Sequence, residues 1–222
     1  ITQPGEISLA HQGVLFLDEF PEFRRDCLEA LRQPLEDGYI RVSRIHKSFL
    51  FPANFMLVAS MNPCPCGYYA DPKKAWRCST NKIANYIGKI SGPLLDRIDI
   101  HIQMPPLKYK ELTDKNEAEP SALIKARIDR ARMIQRERLE EGGIMCNAQM
   151  SHKQTRKFCP LKEEENELLR IAMAELNFSA RAYDKILKIA RTIADLAESH
   201  DIKTEHLAEA IQFRSLDRDF FI

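Results

Sequence analysis

The chain has 222 residues, 44% of them hydrophobic and 29% charged, with a formal charge of +1. This is an ordinary soluble globular composition, ample for one large domain or two small ones, and no run of 18 apolar residues exists to form a transmembrane helix. Near-neutral charge argues neither for nor against nucleic acid, so any basic surface has to be local.

The opening residues, ITQPGEISLA, lack a signal-peptide pattern, and the first of them is Ile, so the chain reads as a piece of a longer polypeptide. Six cysteines, unevenly spaced in apolar or helical segments, read as reduced thiols or metal ligands rather than a secreted disulfide framework. That pattern sets the expectation of a cytoplasmic protein without a membrane partner.

In chain order, the first clear element is GVLFLDEF, residues 13–20. Val14 to Leu17 predict a strand buried on both faces, as in a parallel sheet. Asp18 and Glu19 close it, and at the carboxyl tip of such a strand they would face the crevice where open α/β sheets bind ligands. A plainer reading has one of them capping the helix that starts near Pro21. PEFRRDCLEALRQPLEDG has helical patterning, and GYIRVSRIHKSFLFP reads as a β-hairpin with a basic tip of Arg41, Arg44, His46 and Lys47. FMLVASMN, residues 55–62, is a second apolar strand ending in Asn62, which either starts a turn before Pro63 or stands beside Asp18 and Glu19. Neighbouring strands lie about 4.8 Å apart, so parallel pairing would bring these three residues to one sheet edge. An Asp to hold Mg²⁺, a Glu to polarise water and an amide to orient it form a set suited to phosphoanhydride hydrolysis.

NPCPCGYYADPKKAWRCST follows, with Cys64, Cys66 and Cys78. Three thiolates could begin a zinc site, but tetrahedral structural sites take four ligands. Trp76 stands where a fourth ligand could have been, leaving a distant residue such as His101, another chain, or plain reduced cysteines in a loop. Cys27, Cys146 and Cys159 read as buried small residues. SGPLLDRIDIHIQ sets Arg97 between Asp96 and Asp99 ahead of a third apolar strand, IDIHIQM. Arg97 is either half of a surface ion pair or a guanidinium that reaches a neighbour's phosphate.

Prolines and charges without periodicity mark a linker at residues 107–120, dividing an α/β segment (residues 1–106) from an all-helical one (residues 121–222). Ser121, Ser179 and Thr204 are placed to cap helices, and Gly142-Gly143 to end the first. Tyr183, Ile186, Leu187, Ala190, Ile193, Ala194 and Ala197 recur at helical spacing and predict a core-facing stripe. Arg181 sits in a first helical turn, where the macrodipole disfavours a cation. Either an anionic ligand or Asp184, three residues on, would compensate.

The order of these elements resembles an AAA+ ATPase. More narrowly, GEISLAHQGVLFLDEF, LEALRQPLEDG, FMLVASMNPCPCGYY, ISGPLLDRIDIH, FSARAYDKILKIARTIADL and AIQFRSLDR resemble the magnesium chelatase-like ATPases of the ComM/YifB group, over nearly the whole chain except residues 108–120. The resemblance implies the carboxyl-terminal part of a P-loop NTPase sheet with helices, followed by a helical lid domain. It implies ATP and Mg²⁺ as cofactors, Asp18 and Glu19 as the Walker B pair, Asn62 as sensor 1, Arg97 as the arginine finger and Arg181 as sensor 2. It also implies a hexameric homo-oligomer ring acting on DNA in branch migration, recombination or competence, with the basic hairpin in the pore. Two other readings are an ATPase subunit driving metal insertion into a tetrapyrrole and a non-enzymatic interaction module. No G-x-x-x-x-G-K-[ST] phosphate loop occurs in these residues, so the chain alone is expected neither to hold nucleotide tightly nor to hydrolyse it, and an unpaired edge is expected beside GVLFLDEF.

Overall fold

The computed structural model describes residues 3–44, 47–69, 78–105, 118–176 and 178–214. His46, Trp76 and most of the linker lie outside them. The chain forms two compact units, one up to Ile98 and one from Asp99 onward. The first is α/β with a small parallel sheet and the second is helical, as a partial AAA+ fold requires.

The first unit runs α1 (Glu6–Leu9), β1 (Val14–Leu17), α2 (Arg25–Ala30), α3 (Arg32–Asp37), β2 (Tyr39–Arg44), β3 (Lys47–Pro52), β4 (Met56–Ala59), α4 (Thr80–Ile87) and α5 (Gly92–Leu95). β1 and β4 pair in parallel, Val14 opposite Met56 and Leu17 opposite Ala59. Between them the chain makes two short helices and the β2–β3 hairpin, the long crossover that parallel pairing demands. Gly38 ends α3 in the left-handed region (φ 72°), and its carbonyl accepts from the Ala53 amide (2.8 Å), which closes the base of the hairpin.

Leu15 and Leu17 point into a core of Phe20, Leu28, Leu31, Ile90, Leu94 and Leu95. The opposite face differs from the expectation of two-sided burial: Val14 and Phe16 are each 58% exposed and Met56 is 62% exposed. Among the described residues of this unit the packed core lies on one side of the β1–β4 pair only, so alternate side chains meet solvent. The third expected strand, IDIHIQM, is also absent. Among the described residues, 98–105 form no strand paired with another, and the His101 amide donates to the Phe213 carbonyl (2.8 Å). An alternating apolar pattern becomes a strand only where another backbone offers its hydrogen bonds.

The second unit contains α6 (Ser121–Leu139), α7 (His152–Phe158), α8 (Glu163–Glu175), α9 (Ala180–Leu196) and α10 (Thr204–Gln212). Ile186, Leu187, Ala190 and Ala194 of the α9 stripe are buried with Leu139, Met150, Leu169, Ile202 and Leu207, while Ala197 is exposed. Ser179 caps α9, accepting from the Ala182 amide (3.2 Å), and Gly143 (φ 64°) follows the turn that ends α6. The other two expected caps are the first residues of their helices: Pro120 and Lys203 hold the N-cap positions, and the Thr204 hydroxyl donates to Glu165 (3.2 Å).

A polar cluster sits inside this apolar unit. Asp195, fully buried, accepts from Arg138 (3.0 Å), Arg191 (3.1 Å) and the Asn147 amide (2.8 Å). Arg191, itself 2% exposed, also donates to the His200 (2.7 Å) and Ser199 (2.6 Å) carbonyls. Burial holds its guanidinium below the ordinary arginine range. With its acceptors filled, the buried charge escapes the penalty of an unpaired ion.

Candidate active site

The carboxyl ends of β1 and β4 carry the acidic pair and the asparagine. The register that sets Leu17 opposite Ala59 brings Asp18 opposite Ser60. The strands remain tied past their ends: the Ser60 amide donates to the Leu17 carbonyl (3.0 Å) and the Phe20 amide to the Ser60 carbonyl (2.9 Å). The Ser60 hydroxyl donates to the Asp18 carboxylate, whose Oδ1 also accepts from the Glu19 amide (2.9 Å). Asp18, Glu19 and Asn62 are all solvent-exposed. Glu19 adopts a left-handed backbone (φ 52°, ψ 45°), uncommon for a residue with a side chain, as the strand turns into the Phe20–Glu22 helical turn. Pairing therefore puts two exposed carboxylates and an exposed amide at one end of adjacent strands, above the core.

Ser60 was not among the expected site residues. The signal was present in FMLVASMN: its one hydroxyl falls opposite Asp18 once the two apolar runs are aligned in parallel. Tyr86 of α4 is a second addition. Its buried hydroxyl hydrogen-bonds the Asn62 backbone, while burial, and after it the Glu22 carboxylate, pushes the phenol up. Gly67 (φ 79°) lies against the same asparagine, where a Cβ would come within 3.9 Å of the amide carbon.

Oxygen donors suit a hard divalent cation, and one carboxylate with one hydroxyl suits Mg²⁺, which keeps several waters and takes few protein ligands. Asp18 and Ser60 fit that description. Among the described residues of this unit no glycine-rich cradle for a nucleotide's phosphates accompanies them.

Arg97 is engaged within its own unit. Its guanidinium donates to the Glu36 carboxylate and to the Pro93 carbonyl (2.6 Å), and its side chain is only 15% exposed. The nearby acids in the sequence are Asp96 and Asp99, but Lys185 reaches Asp99 (2.5 Å). Arg181 is exposed in the first turn of α9. Asp184, offered by the sequence as its compensating charge, instead meets the His152 ring (2.8 Å).

The hairpin forms as expected, with Arg41 opposite Leu50 and Arg44 opposite Lys47. Arg41 and Lys47 are exposed, and Ile45 and His46 at the tip lie outside the described residues. Cys64, Cys66 and Cys78 converge, their sulfurs all within 4.8 Å of one another. Of the remaining cysteines Cys159 is buried and Cys146 half-buried, but Cys27 is exposed on α2, contrary to expectation. It lies on the solvent side of a helix whose neighbouring Leu28 fills the core.

An α/β unit with acidic residues and an amide at the tips of adjacent parallel strands, and a helical unit after it, define the class; comparison with known proteins gives the family. Residues 1–112 match the model of magnesium chelatase, subunit ChlI, and residues 118–214 match that of the ChlI C-terminal region, so the chain belongs to this family. It is 45% identical over 219 residues to the competence protein ComM of Haemophilus influenzae and 42% identical over 220 residues to YifB of Escherichia coli. A Mycobacterium tuberculosis relative is 37% identical over 214 residues. These alignments cover 96–98% of this chain, which spans 42% of each relative's length. Among the described residues no helix is long and apolar enough to cross a membrane.

Proposed function

We propose that this chain is the carboxyl-terminal part of a AAA+ ATP-hydrolysing module, working in a cytoplasmic hexameric ring that moves along or remodels DNA. The observation that carries the reading is the parallel β1–β4 pairing, with the Ser60 hydroxyl bonded to Asp18 and with Glu19 and Asn62 at the same strand ends. Asp18 and Ser60 would hold a hydrated Mg²⁺, which when bound neutralises charge on the nucleotide phosphates. Glu19 accepts a proton from the attacking water and Asn62 orients it. Arg97 exchanges Glu36 for the phosphate of a neighbouring subunit, where its planar guanidinium stabilises transition-state charge. Arg181 couples nucleotide state to the helical unit. Arg41, Arg44, His46 and Lys47 contact the phosphodiester backbone without reading sequence.

In the intact protein, Glu19→Gln should lower ATP turnover by roughly 10²–10⁴-fold, the range typical of a positioned general base, with nucleotide binding retained. Undiminished turnover would refute the assignment. The chain on its own, which contains no phosphate loop, should show none. The family model's description favours a second reading, an ATPase that drives metal insertion into a tetrapyrrole. The basic hairpin supports the DNA reading, and stimulation of turnover by DNA would separate the two.

A further inference from the structure

The nucleotide reading makes no use of the three converging cysteines. Cys64 is fully buried, Cys78 is 8% exposed and Cys66 is half-buried. The Cys64 and Cys66 sulfurs stand 3.2 Å apart, and every pair in the trio lies within 4.8 Å. A tetrahedral zinc ion with Zn–S bonds of about 2.3 Å needs its sulfurs roughly 3.8 Å apart, inside that span. Among the described residues this is the one group of three or more His, Cys, Asp or Glu side chains whose ligand atoms converge in this way. The backbone favours the arrangement. The Gly67 amide donates to the Cys64 carbonyl (2.9 Å) and Gly67 takes a left-handed φ of 79°, which folds the Cys64–Gly67 segment into a tight turn. Cys78 immediately precedes Ser79, the N-cap of α4, and so is held by a second element.

We propose that Cys64, Cys66 and Cys78 form a three-thiolate site for a thiophilic d¹⁰ cation, zinc, with a solvent molecule as the fourth ligand on the side where Cys66 is accessible. Ile83 and Ile87 of α4 pack around the sulfurs and give the site an apolar wall. Without metal the Cys64 and Cys66 thiols stand against one another, 3.2 Å apart. Loading zinc releases the thiol protons and replaces that sulfur–hydrogen contact with metal–sulfur bonds. The ion fastens the turn that follows Asn62 to the start of α4. The nearest alternative is a small apolar packing cluster of reduced cysteines, which predicts no ion. The inference does not depend on nucleotide hydrolysis and can fail or hold separately from it.

The test is a titration of the reduced, metal-stripped chain with Zn²⁺ against a chromophoric chelator, repeated with Co²⁺ to record thiolate-to-metal charge-transfer absorption. The expected result is one zinc per chain, cobalt bands with the intensity of several thiolates, and selective protection of Cys64, Cys66 and Cys78 from alkylation. Cys66→Ser, at the half-buried position least needed for packing, should weaken binding by at least about tenfold, and Cys27→Ser should leave it unchanged. Cys64→Ser and Cys78→Ser should abolish stoichiometric binding. Folded wild-type chain that takes up no zinc and whose Cys64, Cys66 and Cys78 alkylate equally fast with and without Zn²⁺, or binding untouched by Cys66→Ser, would overturn the proposal.

Discussion

Replacing Asp195 with Ala should be among the most damaging single changes in the helical unit. The carboxylate is fully buried and satisfies Arg138, Arg191 and the Asn147 amide together. Truncating one partner of a buried ion pair costs about 3–5 kcal/mol, because the charge left behind is uncompensated. Two features favour the lower end. Arg191 keeps its bonds to the Ser199 and His200 carbonyls, and the Arg138 side chain, 17% exposed, can regain water. A loss near 3 kcal/mol is a large share of the ~5–15 kcal/mol that stabilises a domain. At roughly 4–8 °C per kcal/mol for a unit of this size, Tm should fall by about 12–24 °C. Far-UV circular dichroism through a urea titration is the assay, since every described helix longer than eight residues lies in this unit. Asp195→Asn, which keeps one acceptor oxygen in place, should lose less. A loss under about 1 kcal/mol for Asp195→Ala at unchanged m-value would mean that the network is hydrated and that the burial argument fails.

Glu36→Gln should cost the first unit about 1 kcal/mol or less, since Glu36 is 43% exposed and half-solvated pairs contribute little. In the intact protein the same change should leave ATP turnover at or above wild type, while Arg97→Ala should lower it by about 10³-fold or more, and equal turnover in both would reject the trans-acting role. Burial pushes the Cys159 thiol up to about 12 from an ordinary value of 9.0, so alkylation at pH 8 should mark exposed Cys27 well before Cys159. The folded chain holds that proton more tightly than the unfolded one. Its contribution to stability is therefore complete below pH 9 and is lost as pH climbs toward 12. A Cys159→Ala variant should show a shallower alkaline decline, and an identical decline would count against the shift.

The strands at Val14–Leu17 and Met56–Ala59 were legible because both are short apolar runs ended by polar residues, and their parallel pairing needed only the intervening crossover. The α9 stripe was legible for the same kind of reason: its period matches one helical face. IDIHIQM failed because alternation records which side chains are apolar and says nothing about whether a partner backbone lies alongside. Cys27 and Leu28 show a related limit, since adjacent residues of one helical segment face opposite environments once the core is placed. Arg97 and Asp184 were read against neighbours in sequence, but their partners, Glu36 and His152, lie 61 and 32 residues away. The α7 helix went unread although Ser151 and Gln154 form a reciprocal cap, because seven residues are too few to display a period.

The β1–β4 ladder has four residue pairs, and a two-stranded sheet of that size does not hold its own shape in water. The spacing of its tips is therefore inherited from the apolar floor beneath Leu15 and Leu17, which includes Phe20, Leu94 and Leu95. Chemistry and packing cannot be tuned separately in such a construction. A methylene removed from Leu94, which contributes no polar group to the rim, should shift the platform on which carboxylates and amide stand, so silent core positions become hidden controls on the spacing of those three side chains.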